Sequence, residues 1–277
     1  MHDTADFDRS RPTRSRSDRA FWGAEVKYQG GDRHEPYLFG LTQDDQNNQR
    51  PYNERQNFRY DSRYYGAGLS GELFPRLRYQ AEGVMEQGES QAYNTATQPR
   101  DLSSDIEAYA FTGALEYFFN HETSPRLVTE YLWGSGDENR NRPANTIDGN
   151  QAYTTDRTFS YFGYLPTGFS LAPKISNIHV FKVGSSCSPV RDRSWMESLE
   201  TGVNLYAYLK DETAGGISDN RVTGDKRLVG YEHDVYANWK VFTDLVLGIR
   251  YGVFYQGDAY AQKRERHFLE TSLVYMF

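Results

Sequence analysis

Charged side chains recur at alternate positions along several segments of this chain. Arg78 and Glu82 share one parity, Glu232 and Asp234 another such row, and Lys182, Lys210 and Arg250 take even positions in segments of their own. If those segments are extended, the period of two puts each set on one face of a sheet. Arg meets a carboxylate in a planar two-bonded fork, while Lys offers a point charge. A wall carrying such cations favours anionic solutes over neutral ones. Carboxylates among them hold the forks in place, keep counterions near, or weaken binding enough for release. Arg59 and Arg63 join the set if the charged face they share with Asp61 points the same way. The candidate path residues are therefore Arg59, Arg63, Arg78, Lys182, Lys210, Arg250, Glu82, Glu232 and Asp234, with Lys27, Glu25 and Glu130 on the same wall. Tyr206 and Tyr236 offer rings for stacking on sugar faces. Set against this, every large wet lumen carries mixed charges that solvate it and pair across strands.

Covalent chemistry finds little support. A barrel hydrolase needs a Ser-His pair close on one strand and a third polar residue to orient it. The six histidines are His2, His34, His121, His179, His233 and His267. His233 falls on the lipid-facing parity, His121 sits in a turn, and none lies two residues from a Ser on a strand face. No zinc spacing occurs, and the Asp/Asn/Gly-rich stretch 136–150 lacks the residue order of a calcium-binding hand. The expectation is a protein that is not an enzyme and carries no cofactor or metal. Cys187, the single cysteine, allows no internal disulfide framework.

The elements that must position the charged rows read as strands. A first is expected near 20–29, where Trp22, Ala24, Val26 and Tyr28 alternate with Gly23, Glu25, Lys27 and Gln29. A second follows at 36–43. In the third, 57–70, the apolar row changes parity near Tyr64 and Tyr65, which predicts a bulge. The fourth, 76–87, opposes Leu77, Tyr79, Ala81 and Met85 to Arg78, Gln80, Glu82 and Glu86. The fifth, 105–119, sets Tyr109, Phe111, Leu115, Tyr117 and Phe119 against Ala108, Ala110, Thr112 and Ala114. Further strands are expected at 126–134, 176–187, 197–210, 227–240 and 244–255. In the ninth, Val229, Tyr231, Val235, Ala237 and Trp239 form the outward row. In the tenth, Leu245, Leu247, Ile249, Tyr251 and Val253 do so. The eleventh ends the chain at Phe277, with an aromatic terminus like the one that hands bacterial outer-membrane barrels to their assembly machinery.

Composition fits a barrel in a membrane. Mean hydropathy is −0.79, and no run approaches the roughly 18 apolar residues a spanning helix needs. A barrel needs only every second residue apolar and satisfies all its backbone groups by closure. The chain has 22 Tyr, 16 Phe and 4 Trp in 277 residues, an excess that suits two interfacial girdles. Its 31 basic and 38 acidic residues give no polybasic face, so nucleic acid is not an expected partner.

Connections alternate in length. Those near 30–35, 71–75, 120–125, 189–196 and 241–243 are short; those near 44–56, 88–104, 135–175, 211–226 and 256–266 are long and polar. Short periplasmic turns and long extracellular loops give this alternation. Counting back eleven strands from a periplasmic C-terminus puts residue 1 on the long-loop side, whereas single-chain barrels have even strand numbers and start from the periplasm. The stretch 1–19 also lacks the apolar core of a secretory signal. The expectation is a polar loop or truncated start at 1–19, followed over 20–277 by the C-terminal part of one outer-membrane β-barrel.

Several pieces of the sequence, in order, resemble the alginate export porin family. They are Asp6-Phe7-Asp8-Arg9-Ser10, Arg16-Ser17-Asp18 leading into Phe21-Trp22-Gly23, and Arg59-Tyr60-Asp61-Ser62-Arg63. Glu130-Tyr131-Leu132-Trp133-Gly134-Ser135-Gly136-Asp137 looks like the family's strand-to-loop passage. Gly230-Tyr231-Glu232-His233-Asp234 followed by Tyr251-Gly252-Val253-Phe254-Tyr255-Gln256-Gly257 looks like its penultimate hairpin, with Gln256 where the family usually has Pro. The resemblance spans Phe7 to Phe277. It implies an all-β transmembrane antiparallel barrel of which these eleven strands belong to an eighteen-stranded whole. It also implies a bacterial outer-membrane channel that passively conducts an anionic, alginate-like polysaccharide or its oligomers. A uronate polymer carries one carboxylate per sugar for the Arg and Lys row to meet. The alternatives are a porin for small anions or sugars and a non-conducting structural or adhesive barrel working through loops 44–56 and 135–175. Outer-membrane lipid and the barrel assembly machinery are the other expected partners.

Overall fold

The computed structural model describes residues 19–30, 33–45, 60–91, 103–140, 150–151, 153–161, 163 and 165–276. Its strands are β1 (Arg19–Lys27), β2 (His34–Asp45), β3 (Tyr60–Phe74), β4 (Leu77–Gln91), β5 (Ser103–Phe118), β6 (Arg126–Gly134), β7 (Ile178–Cys187), β8 (Leu199–Lys210), β9 (Leu228–Phe242), β10 (Leu245–Gln256) and β11 (Glu265–Tyr275). They form one antiparallel sheet in sequence order, β1 to β11. Each strand pairs with its chain neighbours, as successive hairpins require.

Alternation sets the two faces. Tyr65, Tyr109, Phe111, Leu115, Tyr117, Val183, Val203, Leu205, Ile249 and Leu269 are large, apolar and exposed along one side. Contiguous apolar exposure of this extent is found where a surface meets another apolar phase. No helix among the described residues is long and apolar enough to cross a membrane. Strands β3, β4 and β5 have 15, 15 and 16 residues, more than the roughly 9–11 that a tilted spanning strand needs. Their surplus length carries the sheet beyond the apolar band.

The connections β3–β4 and β9–β10 close in two residues each, and Arg76 takes φ 75° with its N–H donating to Oε1 of Glu72. Register places Leu245 beside both Phe242 and Tyr275, and Met276 donates its N–H to the Asp244 carbonyl at 2.8 Å. The end of the chain therefore lies on the rim of the short turns, and the 257–264 connection lies opposite. Phe277 itself falls outside the described residues.

The opposite, inner face carries a core of its own. Leu132, Ile178, Val180, Tyr206, Tyr208, Val229 and Phe254 of the wall pack with Leu171, Ile175, Ile217, Val222, Ala259 and Tyr260 of the long connections. A second cluster joins Tyr64, Ala108 and Ala110 to Phe159. The described residues of the 135–177 connection thus fold inward against the sheet. Burying Phe159, Leu171 and Ile175 contributes about 1.5–3 kcal/mol each.

This infolding corrects two sequence expectations. β3 pairs with β2 and β4 without interruption across Tyr64 and Tyr65, and its register shift lies between Glu72 and Phe74. Tyr64 faces inward because Phe159 meets its ring edge-on, with centroids 6.0 Å apart. Aromatics on both faces mimicked a bulge. At Val229 the reverse holds: register shifts where Tyr208 pairs Gly230 and Leu209 pairs Leu228. The bulge buries Val229 in the inner cluster and takes it out of the outward row.

Candidate functional site

The inner face divides into a covered half toward the long connections and an open half toward the short turns. In the covered half, wall carboxylates hold the infolded connection by its backbone. Glu232 Oε1 accepts the N–H groups of Phe169 and Ser170, both at 2.7 Å, and its Oε2 accepts that of Leu171 at 2.8 Å. Asp234 Oδ2 accepts the Phe169 N–H as well, at 3.1 Å. The Tyr208 hydroxyl donates to the Thr167 carbonyl at 2.7 Å. Glu86 of β4 repeats the device, accepting the Ser160 N–H at 2.7 Å and the Tyr60 hydroxyl at 2.8 Å. Three successive amides on one carboxylate satisfy donors that a buried connection would otherwise leave orphaned.

A second set of ties sits above. Asp211 accepts from the Trp133 indole at 3.0 Å and the Gly136 amide at 2.9 Å. Arg140 and Asp156 form a buried ion pair. Asp219, in the 211–227 connection, receives Arg266 of β11 at 2.5 Å and the Tyr260 hydroxyl at 2.9 Å. Its burial acts to raise the carboxyl pKa, but the bonds from Arg266, Arg221 and Tyr260 outweigh that and bring it down to about 2.

In the open half, a groove of about 710 Å³ runs along the inner wall. Arg33, Arg78, Arg126 and Lys182 line it, against Glu35, Glu72, Glu116 and Glu130. Four cations facing four carboxylates leave no net charge, so what matters is which cations are already engaged. Lys182 bonds Glu130 at 3.1 Å, its direct partner in register. Arg126 bonds Glu116 at 3.0 Å and Glu200 at 3.4 Å, and its Nε donates to Ser186 at 3.2 Å. Glu35 holds Lys27 at 2.5 Å. Arg78 lies between Glu72 and Glu116 in register, yet among the described residues it makes no ion pair. Its guanidinium rests over the Phe118 ring, 5.1 Å from the centroid. The groove presents an exposed fork on an aromatic support.

The sequence-derived path residues therefore separate. Arg78, Lys182 and Glu82 lie on the open inner wall, where Glu82 accepts the Tyr37 hydroxyl at 2.5 Å. Arg250 bonds Glu270 at 3.4 Å and lies over the Phe169 ring at 5.8 Å, at the boundary between the halves. Glu232 and Asp234 face inward but are buried beneath the connection they anchor. Lys210 also leaves the open wall: only 1% exposed, it donates to the carbonyls of Thr213 at 2.6 Å and Gly224 at 2.9 Å. It ties off the β8–β9 connection. Arg63 lies on the opposite face, in register with Thr42 and Gln87 and one residue from inward Tyr64. Strand parity puts it beside Tyr65 and Tyr109. Arg59 falls outside the described residues.

A family model described as alginate export matches residues 4–271. The chain belongs to the alginate export family. It is accordingly an outer-membrane β-barrel protein. Comparison with curated proteins gives no match. Among solved structures the chain is similar to the crystal structure of Pseudomonas aeruginosa OccK11 (OpdR). The two are 14% identical, with 94% of this chain and 71% of that one covered and a TM-score of 0.39.

For a member of the alginate export family, two inner-wall groups escaped the sequence reading. Arg126 opens β6 beside a turn, and only its even parity with Val128 and Glu130 marks it as inward. Glu116 is its partner and carries the same even-parity signal on β5. Exposed ion pairs of this kind contribute at most about 1 kcal/mol to stability. Their value here lies in fixing where charge stands along the wall.

Proposed function

We propose that this alginate export family member conducts an anionic polysaccharide or its oligomers passively along the inner wall, through the groove that holds Arg78. The observation that carries this reading is the exposed Arg78 guanidinium in a groove whose neighbouring carboxylates are engaged elsewhere. A carboxylate on each sugar meets Arg78 in a fork, and Lys182, Arg126 and Arg250 supply further positive charge. Because those cations already hold wall carboxylates, an incoming anion exchanges one partner for another, which keeps binding weak enough for release. Infolded residues Phe169–Leu171 narrow the path beside Arg250. The outer row contacts lipid, and the terminal strand engages the barrel assembly machinery.

The balance of four cations and four carboxylates in the groove favours a second reading, a porin for small anions or sugars. The test is the reversal potential of the channel purified from outer membranes, in planar bilayers under a salt gradient. Arg78→Gln is expected to lower anion preference while conductance persists, and the difference shrinks as salt shortens the Debye length from ~10 Å at 0.1 M to ~3 Å at 1 M. An unchanged reversal potential would count against Arg78 as a selectivity residue.

A further inference from the structure

Three inward aromatic rings lie flat on the sheet over glycine. Tyr37 and Phe39 of β2 face Gly68 and Gly66 of β3 in register. A Cβ at either glycine would fall inside the facing ring. The two rings follow one another along the strand with centroids 6.5 Å apart and planes inclined by 20°. On β9, Tyr236 repeats the arrangement over Gly202 of β8. In both places the tyrosine hydroxyl donates to an inner-wall carboxylate, Tyr37 to Glu82 at 2.5 Å and Tyr236 to Glu200 at 3.3 Å.

Glycine beneath the ring removes the side chain that would tilt it, so each ring turns one whole face away from the wall. One step nearer the long connections, Leu41 packs against the cluster of Tyr64, Ala108, Ala110 and Phe159. Phe39 and Tyr37 lie beyond that cluster and stay partly exposed. Their borders are polar: Glu25 and Lys27 of β1 stand opposite Phe39 and Tyr37, and Glu82 lies across Gly68. A flat apolar face edged by hydrogen-bonding groups matches a pyranose ring, which has C–H groups on its faces and hydroxyls around its rim.

We propose that the Tyr37–Phe39 shelf is a pyranose-stacking subsite on the conduction path, with Tyr236 as its counterpart further round the wall. It rests on the reading of the channel as a polysaccharide conductor, and adds contacts to the sugar ring that are independent of its charge. Flat stacking without directional bonds lets a chain slide from one ring to the next, while Glu82 and Glu25 accept hydroxyl bonds in passing.

The purified channel in planar bilayers tests this, with current block by an oligomannuronate and by a maltooligosaccharide of equal length as probes. Phe39→Leu and Phe39→Met fill the space above Gly66 without a ring, and Phe39→Tyr keeps the ring. Both non-aromatic variants are expected to raise the dissociation constant for block about tenfold, the factor that ~1.4 kcal/mol sets. Phe39→Tyr should stay within about twofold of wild type on the same scale, and reversal potential should not move in any of them. Equal weakening with both probes assigns the contact to the sugar ring. Weakening with the uronate alone would overturn stacking, as would wild-type block in Phe39→Leu and Phe39→Met. If wild type conducts ions but neither probe interrupts the current, the polysaccharide reading fails first and the shelf with it.

Discussion

Replacing Glu232 with Ala removes the acceptor for three consecutive amides of the infolded connection, those of Phe169, Ser170 and Leu171. Each bond to a charged acceptor contributes about 1.5–3 kcal/mol, and a buried donor left without a partner costs about 1–3 kcal/mol. Asp234 retains part of the Phe169 bond, so two amides lose their acceptor outright. The Tyr208 hydroxyl still holds the Thr167 carbonyl, but loses its 3.3 Å approach to Glu232. The net loss is on the order of 5 kcal/mol for residues 167–171, enough to free that segment while Glu86 keeps Ser160 in place. The expected result is a larger single-channel conductance together with new protease cleavage between Gly168 and Leu171. Glu232→Gln, which keeps one acceptor oxygen, should fall between wild type and Ala. Wild-type conductance and protection in Glu232→Ala would refute the view that this carboxylate holds the connection in the lumen.

Three further outcomes follow from the same geometry. Leu247 lies on the outer row beside Gly248, where a Cβ would meet Ser272 and Asn238 of the inner row, and in register with Trp239 close to the short turn; Leu247→Arg should cost assembly about 1 kcal/mol, the cost of a cation near the rim, read from urea titration in lipid vesicles. Asp219 has a pKa depressed to about 2, so its contribution to holding the 211–227 connection on Arg266 is complete above its unfolded value of about 4. That contribution, ~2 kcal/mol, is lost as pH falls through about 2, and Asp219→Asn should abolish the acid dependence of protease cleavage in that connection. Ala108→Phe should expel Phe159, since Ala108 is fully buried in its cluster, and hydrogen exchange of residues 156–161 should rise without loss of the β4–β5 pairing.

All eleven strands were legible because lipid on one side and a wet wall on the other impose a period of two, and turn residues punctuate it. The strand ends lie within a few residues of the expected ones. Where the wall is open, as at Arg78 and Lys182, strand parity and the observed face agree. Parity gives a different picture where a connection folds onto the wall. Glu232 and Asp234 have the same parity and composition as wall charges, and nothing along the strand tells that backbone amides of 169–171 cap them. Lys210 looks like one more inward cation until Thr213 and Gly224 turn their carbonyls on it. Phe159, Leu171 and Ile175 have no regular spacing, because a connection packing through irregular backbone has no period to reveal. Arg63 was placed through an apparent parity change at Tyr64, whose inward ring is explained only by Phe159, ninety-odd residues on in the chain.

The most direct measurement is block of the purified channel by an oligouronate against a neutral oligosaccharide of equal length, in planar bilayers at low and high salt. A path that conducts an anionic polysaccharide past Arg78 should bind the uronate more tightly at 0.1 M salt, and the advantage should fade toward ~1 M as screening shortens the reach of fixed charge. Equal block by the two sugars at every salt concentration would contradict it.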